Sequence, residues 1–209
     1  FIQIQGEQWD FYASTSFRVA EYRKPAFQVA VETDRDAYLN QGAAGDGINV
    51  NVEAGYYFGG PVANADLTWS VLSAPYYFDY TCPSGTSCPR YSWTDYELED
   101  DYGESYGGYG RLVADGKRET GTNGRATFEV AADISEEIQS RRFTLEASVT
   151  DLNDQVVSQR TTALVHQGAF YVGLAPESRV AQADEEETIN VLTVDWESAP
   201  VTDETLEVV

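Results

Sequence analysis

Cysteine, histidine, methionine and basic side chains are all scarce in this chain of 209 residues, and each scarcity removes a class of function. There is one histidine, His166, alone and at a junction in the repeated pattern described below, so no serine or cysteine nucleophile is expected to be paired with it. Two cysteines and one distant histidine also fall short of the four soft ligands of a structural zinc site. No Met occurs anywhere, which implies that position 1 is not a native start. Lysine and arginine number 13 against 35 acidic residues, and the formal charge of -22 repels nucleic acid and anionic lipid headgroups alike. The sequence holds neither a signal peptide nor an apolar run long enough to span a bilayer, so no membrane insertion is expected of this segment. A sustained helical period is missing too, which excludes a βαβ architecture.

What the chain has instead is aromatic residues and period-two alternation. Tyr 14, Phe 9 and Trp 4 are too many for a disordered acidic polymer. Phe27, Val29 and Val31 alternate with polar neighbours, as do Ile48, Val50, Val52 and Ala54. Leu67, Trp69 and Val71 follow, then Ala126, Phe128 and Val130, then Phe143, Leu145, Ala147 and Val149. Such spacing turns one face of each strand to a core and the other to water. Turn chemistry punctuates the strands at Asn40-Gln41-Gly42, Gly59-Gly60-Pro61, Thr122-Asn123-Gly124 and Asn153-Asp154. The stretch Ala132–Ile138 reads as a short acidic turn crossing between sheets. Together these signals predict an all-β chain of immunoglobulin- or fibronectin-III-like antiparallel sandwiches, with Trp69 in the core.

The pattern repeats. Phe27-Gln28-Val29-Ala30-Val31 is answered by Phe170-Tyr171-Val172-Gly173-Leu174, Ile48-Asn49-Val50 by Ile189-Asn190-Val191, and Pro61-Val62 by Pro200-Val201. A nearly constant offset of about 140 residues implies tandem copies of one fold. We therefore expect residues 1–23 to be the last strand of a preceding domain plus a linker. Residues 24–167 form a complete sandwich and 168–209 the front of a following one, so the chain reads as an excerpt of something longer. Pro25 marks the first junction. Arg160 to Gln167, with Gly168 as pivot, reads as a last strand plus linker at the second, and His166 falls there as a surface or interface residue. A truncated second copy should expose apolar residues such as Val191 and Val194.

Residues 74–110 interrupt the sandwich as an insertion long enough to be functional or partly disordered. Within it Cys82-Pro83-Ser84-Gly85-Thr86-Ser87-Cys88 can curl back on itself, and Cys82 and Cys88 are expected to form a disulfide that stiffens the loop and favours an extracytoplasmic compartment. Five residues lie between the cysteines, where redox-active pairs have two. The acidic run Glu97, Glu99, Asp100, Asp101 and Glu104 is either a solvated face or a calcium site, and it lacks the spaced pattern of a calcium loop. Paired carboxylates beside Trp93 could serve a sugar, but a glycine-rich insertion cannot hold two carboxylates at the fixed separation that glycoside hydrolysis needs. Gly107-Gly108-Tyr109-Gly110 lacks the lysine and helix of a phosphate loop. No cofactor, metal site or catalytic residue is expected.

Phe17-Arg18-Val19-Ala20-Glu21-Tyr22-Arg23-Lys24-Pro25-Ala26-Phe27-Gln28-Val29 resembles the junction between two macroglobulin domains of bacterial α2-macroglobulins. Tyr56-Tyr57-Phe58-Gly59-Gly60-Pro61-Val62-Ala63-Asn64-Ala65 is similar to the strand-turn-strand that opens such a domain, and Ala74-Pro75-Tyr76-Tyr77-Phe78 to the start of an insertion in those proteins. The resemblance extends over essentially the whole chain. It implies part of a secreted or envelope-bound endopeptidase inhibitor, not an enzyme. In that family a protease cuts a bait segment and is trapped, while a thioester made by Cys-Gly-Glu-Gln bonds to it. Gln5-Gly6-Glu7-Gln8 has glutamine where the sulfur is needed, so this segment is frame, not trap. Its implied partners are proteases, through the full-length parent, and neighbouring macroglobulin domains. The alternatives are an Ig-like repeat of a surface adhesin or stalk, and a carbohydrate-binding module centred on Trp93.

Overall fold

The computed structural model describes residues 2–5, 12–15, 25–42, 45, 47–94, 110–178, 180 and 186–207, the first two stretches by their backbone alone. The junction residues before Pro25, Gly6-Glu7-Gln8, the acidic run from Glu97 to Glu104 and Gly107-Gly108-Tyr109 lie outside the described residues. Strands β1 (Ile2–Gln5) and β2 (Tyr12–Thr15) pair antiparallel.

Two facing sheets then build an all-β sandwich. One holds β3 (Phe27–Thr33), β5 (Ile48–Tyr56) and β8 (Arg125–Val130), in the order β3-β5-β8. The other holds β4 (Ala37–Leu39), β6 (Asp66–Pro75), β7 (Arg111–Glu119), β9 (Arg141–Thr150) and β10 (Val156–His166), in the order β4-β10-β9-β6-β7. Pairing is antiparallel except at one edge, where β4 runs parallel to β10. The segment after β3 thus leaves the first sheet and lends three residues to the second, an immunoglobulin-like arrangement.

Phe27, Val29, Val31, Ile48, Val50, Val52, Ala54, Leu67, Val71, Phe128, Val130, Phe143, Leu145, Ala147 and Val149 are all buried between the sheets, as their alternation requires. Burying each large aliphatic side chain contributes about 1.5–3 kcal/mol. Trp69 is half-buried rather than fully enclosed. Its ring stacks on Phe128 at 4.4 Å, and its indole Nε1 is buried without a hydrogen-bond partner.

The stretch from Arg160 to Gln167, expected as a last strand plus linker, is strand as far as His166: it is the end of β10, which pairs with β9 from Val156↔Thr150 to Val165↔Arg141. Its outward polar residues resemble a connector because that sheet face meets solvent. Strands β4 and β7 escape the alternation argument: β4 has three residues, and β7 is an edge strand whose side chains are mostly exposed. Residues 131–140 form the crossing turn expected of Ala132–Ile138, with no helix. They carry turns, with buried Ala132 and Ile134, between β8 in one sheet and β9 in the other.

Beyond β10, β11 (Tyr171–Pro176) and β12 (Ile189–Val194) form an antiparallel hairpin. It reproduces the β3–β5 pair down to its exit. Pro61 bridges Gly55 and Pro200 bridges Val194; Val62 N donates to Ala54 O at 3.0 Å and Val201 N to Thr193 O at 2.9 Å. Counted from these bridges, Val191 stands where Val52 does and Ile189 where Val50 does. The sequence match of Ile48 with Ile189 is therefore two residues out of step. A two-residue slip leaves every side chain on its original face, so alternation could not reveal it.

Candidate functional site

Where β10 hands over to β11, the chain turns through Gln167–Phe170 and buries a polar and aromatic cluster. His166, the last residue of β10, is 2 % exposed. Its ring stacks on Trp196 at 4.2 Å and meets Tyr76 edge-on at 5.7 Å, while its Nδ1 shares a 2.6 Å hydrogen bond with the Tyr171 hydroxyl. That hydroxyl also bonds Ser140 Oγ at 2.9 Å, and Trp196 Nε1 donates to Gly168 O at 2.8 Å. Burial holds the His166 pKa down to about 4 and pushes Tyr171 up to about 12, so both are neutral at pH 7.

Gln167 ties the turn to the sandwich. Its Nε2 donates to Ile134 O at 2.9 Å and to Glu137 O, its Oε1 accepts from Asn40 Nδ2 at 2.8 Å, and its backbone N donates to Ser140 Oγ at 3.1 Å. Beside it the buried Arg141 donates through Nε to Ser73 Oγ at 2.9 Å and pairs with Glu137 at 3.4 Å. The connector expected to be a pivot at Gly168 is therefore bonded on several sides.

The first part of the insertion covers this joint. Phe78 stacks on Tyr171 at 4.1 Å, and Trp93 meets Phe78 edge-on at 5.2 Å. Trp93 lies flat over Gly173, where a side chain's Cβ would come within 2.6 Å of the ring. Only glycine admits so close an approach. Ser92 adds to β11 as a one-residue strand: Ser92 N donates to Leu174 O at 2.8 Å and Leu174 N to Ser92 O at 3.0 Å. Thr81 N donates to Ser198 Oγ at 3.0 Å, beyond β12. Between these two anchors Cys82 and Cys88 are joined by a disulfide, with Cα atoms 6.1 Å apart. Closing so small a ring restricts the unfolded loop by about 2 kcal/mol.

Covering one face of the hairpin corrects another expectation. Val194 is fully buried, because it shares a face with Tyr171, Gly173 and Ala175 beneath the loop. The opposite face carries Val172, Leu174, Ile189 and Val191, and these are exposed; Val191 is 51 % exposed where its counterpart Val52 is 1 %. The aromatics of the insertion gave a signal for a binding surface. Nothing in the sequence said that their target is β11, some 80 residues further along the chain.

No group of acidic, histidine or cysteine side chains among the described residues could hold a metal ion, and no described helix is long and apolar enough to cross a membrane. Around His166 the groups are uncharged rings and hydroxyls bonded to one another, with the Arg141–Glu137 pair beside them. The arrangement fixes one β-unit against another.

The described residues form an all-β sandwich followed, through a buried joint, by a hairpin that repeats the pattern of its β3–β5 pair. The chain resembles the bacterial α2-macroglobulins in both sequence and fold. The α2-macroglobulin of Thermotoga maritima is 32% identical over 114 residues, 54% of this chain and 6% of that protein. Trypsin-activated α2-macroglobulin from Escherichia coli superposes with a TM-score of 0.57 at 12% identity, covering 90% of this chain and 13% of its own. Salmonella α2-macroglobulin reacted with methylamine gives 0.55 at 14%, covering 88% and 11%. The chain thus spans a small part of each. No protein-family model matches it.

Proposed function

We propose that the chain is a non-catalytic framework segment of an α2-macroglobulin-like endopeptidase inhibitor. Residues 24–167 would be one complete macroglobulin domain, 1–23 the end of the domain before it and 168–209 the front of the next. The observation that carries this reading is the recurrence of one hairpin with its proline bridge on both sides of a buried joint. Repeats linked this way pass a displacement along the chain instead of absorbing it. Bait and thioester would lie elsewhere in the parent. Proteases would meet this segment only through that parent, in an extracytoplasmic compartment compatible with the Cys82–Cys88 disulfide.

The test is to incubate the full-length polypeptide with a protease and to follow capture on native gels together with its sedimentation coefficient. The expected result is a compacted, protease-bearing species. A parent that is cut without change of shape and retains no protease would refute the inhibitor role and leave a repeat stalk.

A further inference from the structure

We propose that the Cys82–Cys88 ring is a thiol-sensitive latch: oxidised, it holds residues 78–93 on the β11–β12 hairpin over the joint; reduced, it lets that loop lift off the hairpin. The two limbs of the loop each carry half of the grip. Phe78 and Thr81 lie on one side of the ring and Ser92 and Trp93 on the other, and they reach Tyr171, Ser198, Leu174 and Gly173 respectively. Across the ring Tyr80 faces Trp93 at 5.3 Å and Tyr91 at 6.1 Å, so the limbs also touch one another.

The grip is thin without the covalent tie. Among the described residues, one backbone bridge, one side-chain hydrogen bond and a few ring contacts must order both limbs of the loop. The disulfide removes most of the conformational freedom between them. Pro83, Ser84, Gly85, Thr86 and Ser87 are all exposed, and both cysteines are partly so, so a soluble thiol reaches the bond. The sandwich core does not use the loop; its buried residues come from the strands and from the loops at 62–65 and 132–134. Breaking the ring therefore acts on the joint and not on the fold.

The chemistry is ordinary thiol–disulfide exchange. A thiolate of a dithiol attacks one sulfur, breaking the Cys82–Cys88 bond and forming a mixed disulfide. The second thiol of the reductant then closes on the first. Two electrons and two protons pass to the protein as two cysteine thiols, and the reductant leaves as a cyclic disulfide. No other cysteine exists in the chain, so any response to reduction reports this bond alone.

The experiment is amide hydrogen exchange on the folded chain at pH 7, oxidised and after treatment with dithiothreitol. Expected is an acceleration of about ten- to fifty-fold at Ser92 and Leu174, reversed on reoxidation. Ala54 and Val62, whose amides are bonded inside the sandwich, should stay unchanged. Gly173→Val, which drives a side chain into Trp93, should give the same acceleration with the disulfide intact. Unaltered exchange at Leu174 in the reduced protein or in Gly173→Val overturns the latch. Equal acceleration at Ala54 does so too, by making the disulfide a support of the whole fold. None of these outcomes depends on whether the parent traps proteases.

Discussion

Acidification offers a sharp test of the joint, because the chain has a single histidine and that histidine is enclosed. His166 is surrounded by Trp196, Tyr76 and Tyr171, none of them charged, so a proton gained there finds no counter-ion among these neighbours. Burial lowers its pKa to about 4, against 6.5 for the free side chain. The unfolded or opened state therefore binds the proton first. Stability contributed by neutral His166 is complete above pH 6.5 and is lost as pH falls through 6.5 toward 4. Integrating between those pKa values gives a loss of about 2 kcal/mol at pH 5, approaching about 3 kcal/mol below pH 4. The cheapest way to hydrate the imidazolium is to release the β11–β12 hairpin, so the loss should fall on the joint before the sandwich. One imidazole gives one set of ring signals, and proton NMR can titrate it directly. Urea denaturation at pH 7 and pH 5, followed through tryptophan emission and far-ultraviolet dichroism, would separate joint opening from global unfolding. Asp34, lowered chiefly by the hydroxyl of Tyr38, and Asp133, lowered by Ser135, lose their contribution only as pH falls below 3.8, and NMR titration of the one imidazole isolates the His166 step from the carboxylates. A measured His166 pKa at or above 6.5, or a joint unaffected at pH 5, would refute the enclosure argument.

Other outcomes follow from the same geometry. Val52→Ala should cost about 2–3 kcal/mol in urea denaturation, while its counterpart Val191→Ala, on the open face of the hairpin, should cost less than about 0.5 kcal/mol. Equal losses would mean that the open face is covered in solution. Gly124 adopts φ +74°, with Ala54 O 2.4 Å from where a Cβ would sit. Gly124→Ala should thus destabilise the sandwich by more than about 1 kcal/mol in thermal or chemical melts. Gln167→Ala removes the side-chain bonds to Asn40, Ile134 and Glu137, and hydrogen exchange at the Tyr171–Pro176 strand should rise while Ala54 keeps its protection.

Most of the sandwich was legible in advance because a half-buried strand writes its environment into alternate residues. β3, β5, β6, β8 and β9 each bury one such set. β7 was not legible, since an edge strand with both faces near water carries no alternation. The second half of β10 read as strand running into linker for a similar reason: Thr161 and Thr162 differ little in polarity, and only Ala163, Val165 and His166 are buried there. His166 itself could be placed at a boundary but not inside it. The polarity of an imidazole favours the surface unless a Tyr171 hydroxyl and the Trp196 ring arrive from elsewhere in the chain. Val194 was expected to be exposed because the loop that covers it lies about 100 residues earlier.

Local chemistry alone settled the β-class, the punctuation by turns and the repeated hairpin. These depend on side-chain period, backbone preference and composition, which are carried residue by residue. Only the folded chain decided which face of the hairpin is covered, what Trp93 and Phe78 rest on, and that Gly168 sits in a bonded joint. Those contacts bring together residues far apart in sequence. Their partners are selected by shape and by unsatisfied hydrogen-bonding groups in space, and no run of neighbouring letters records either.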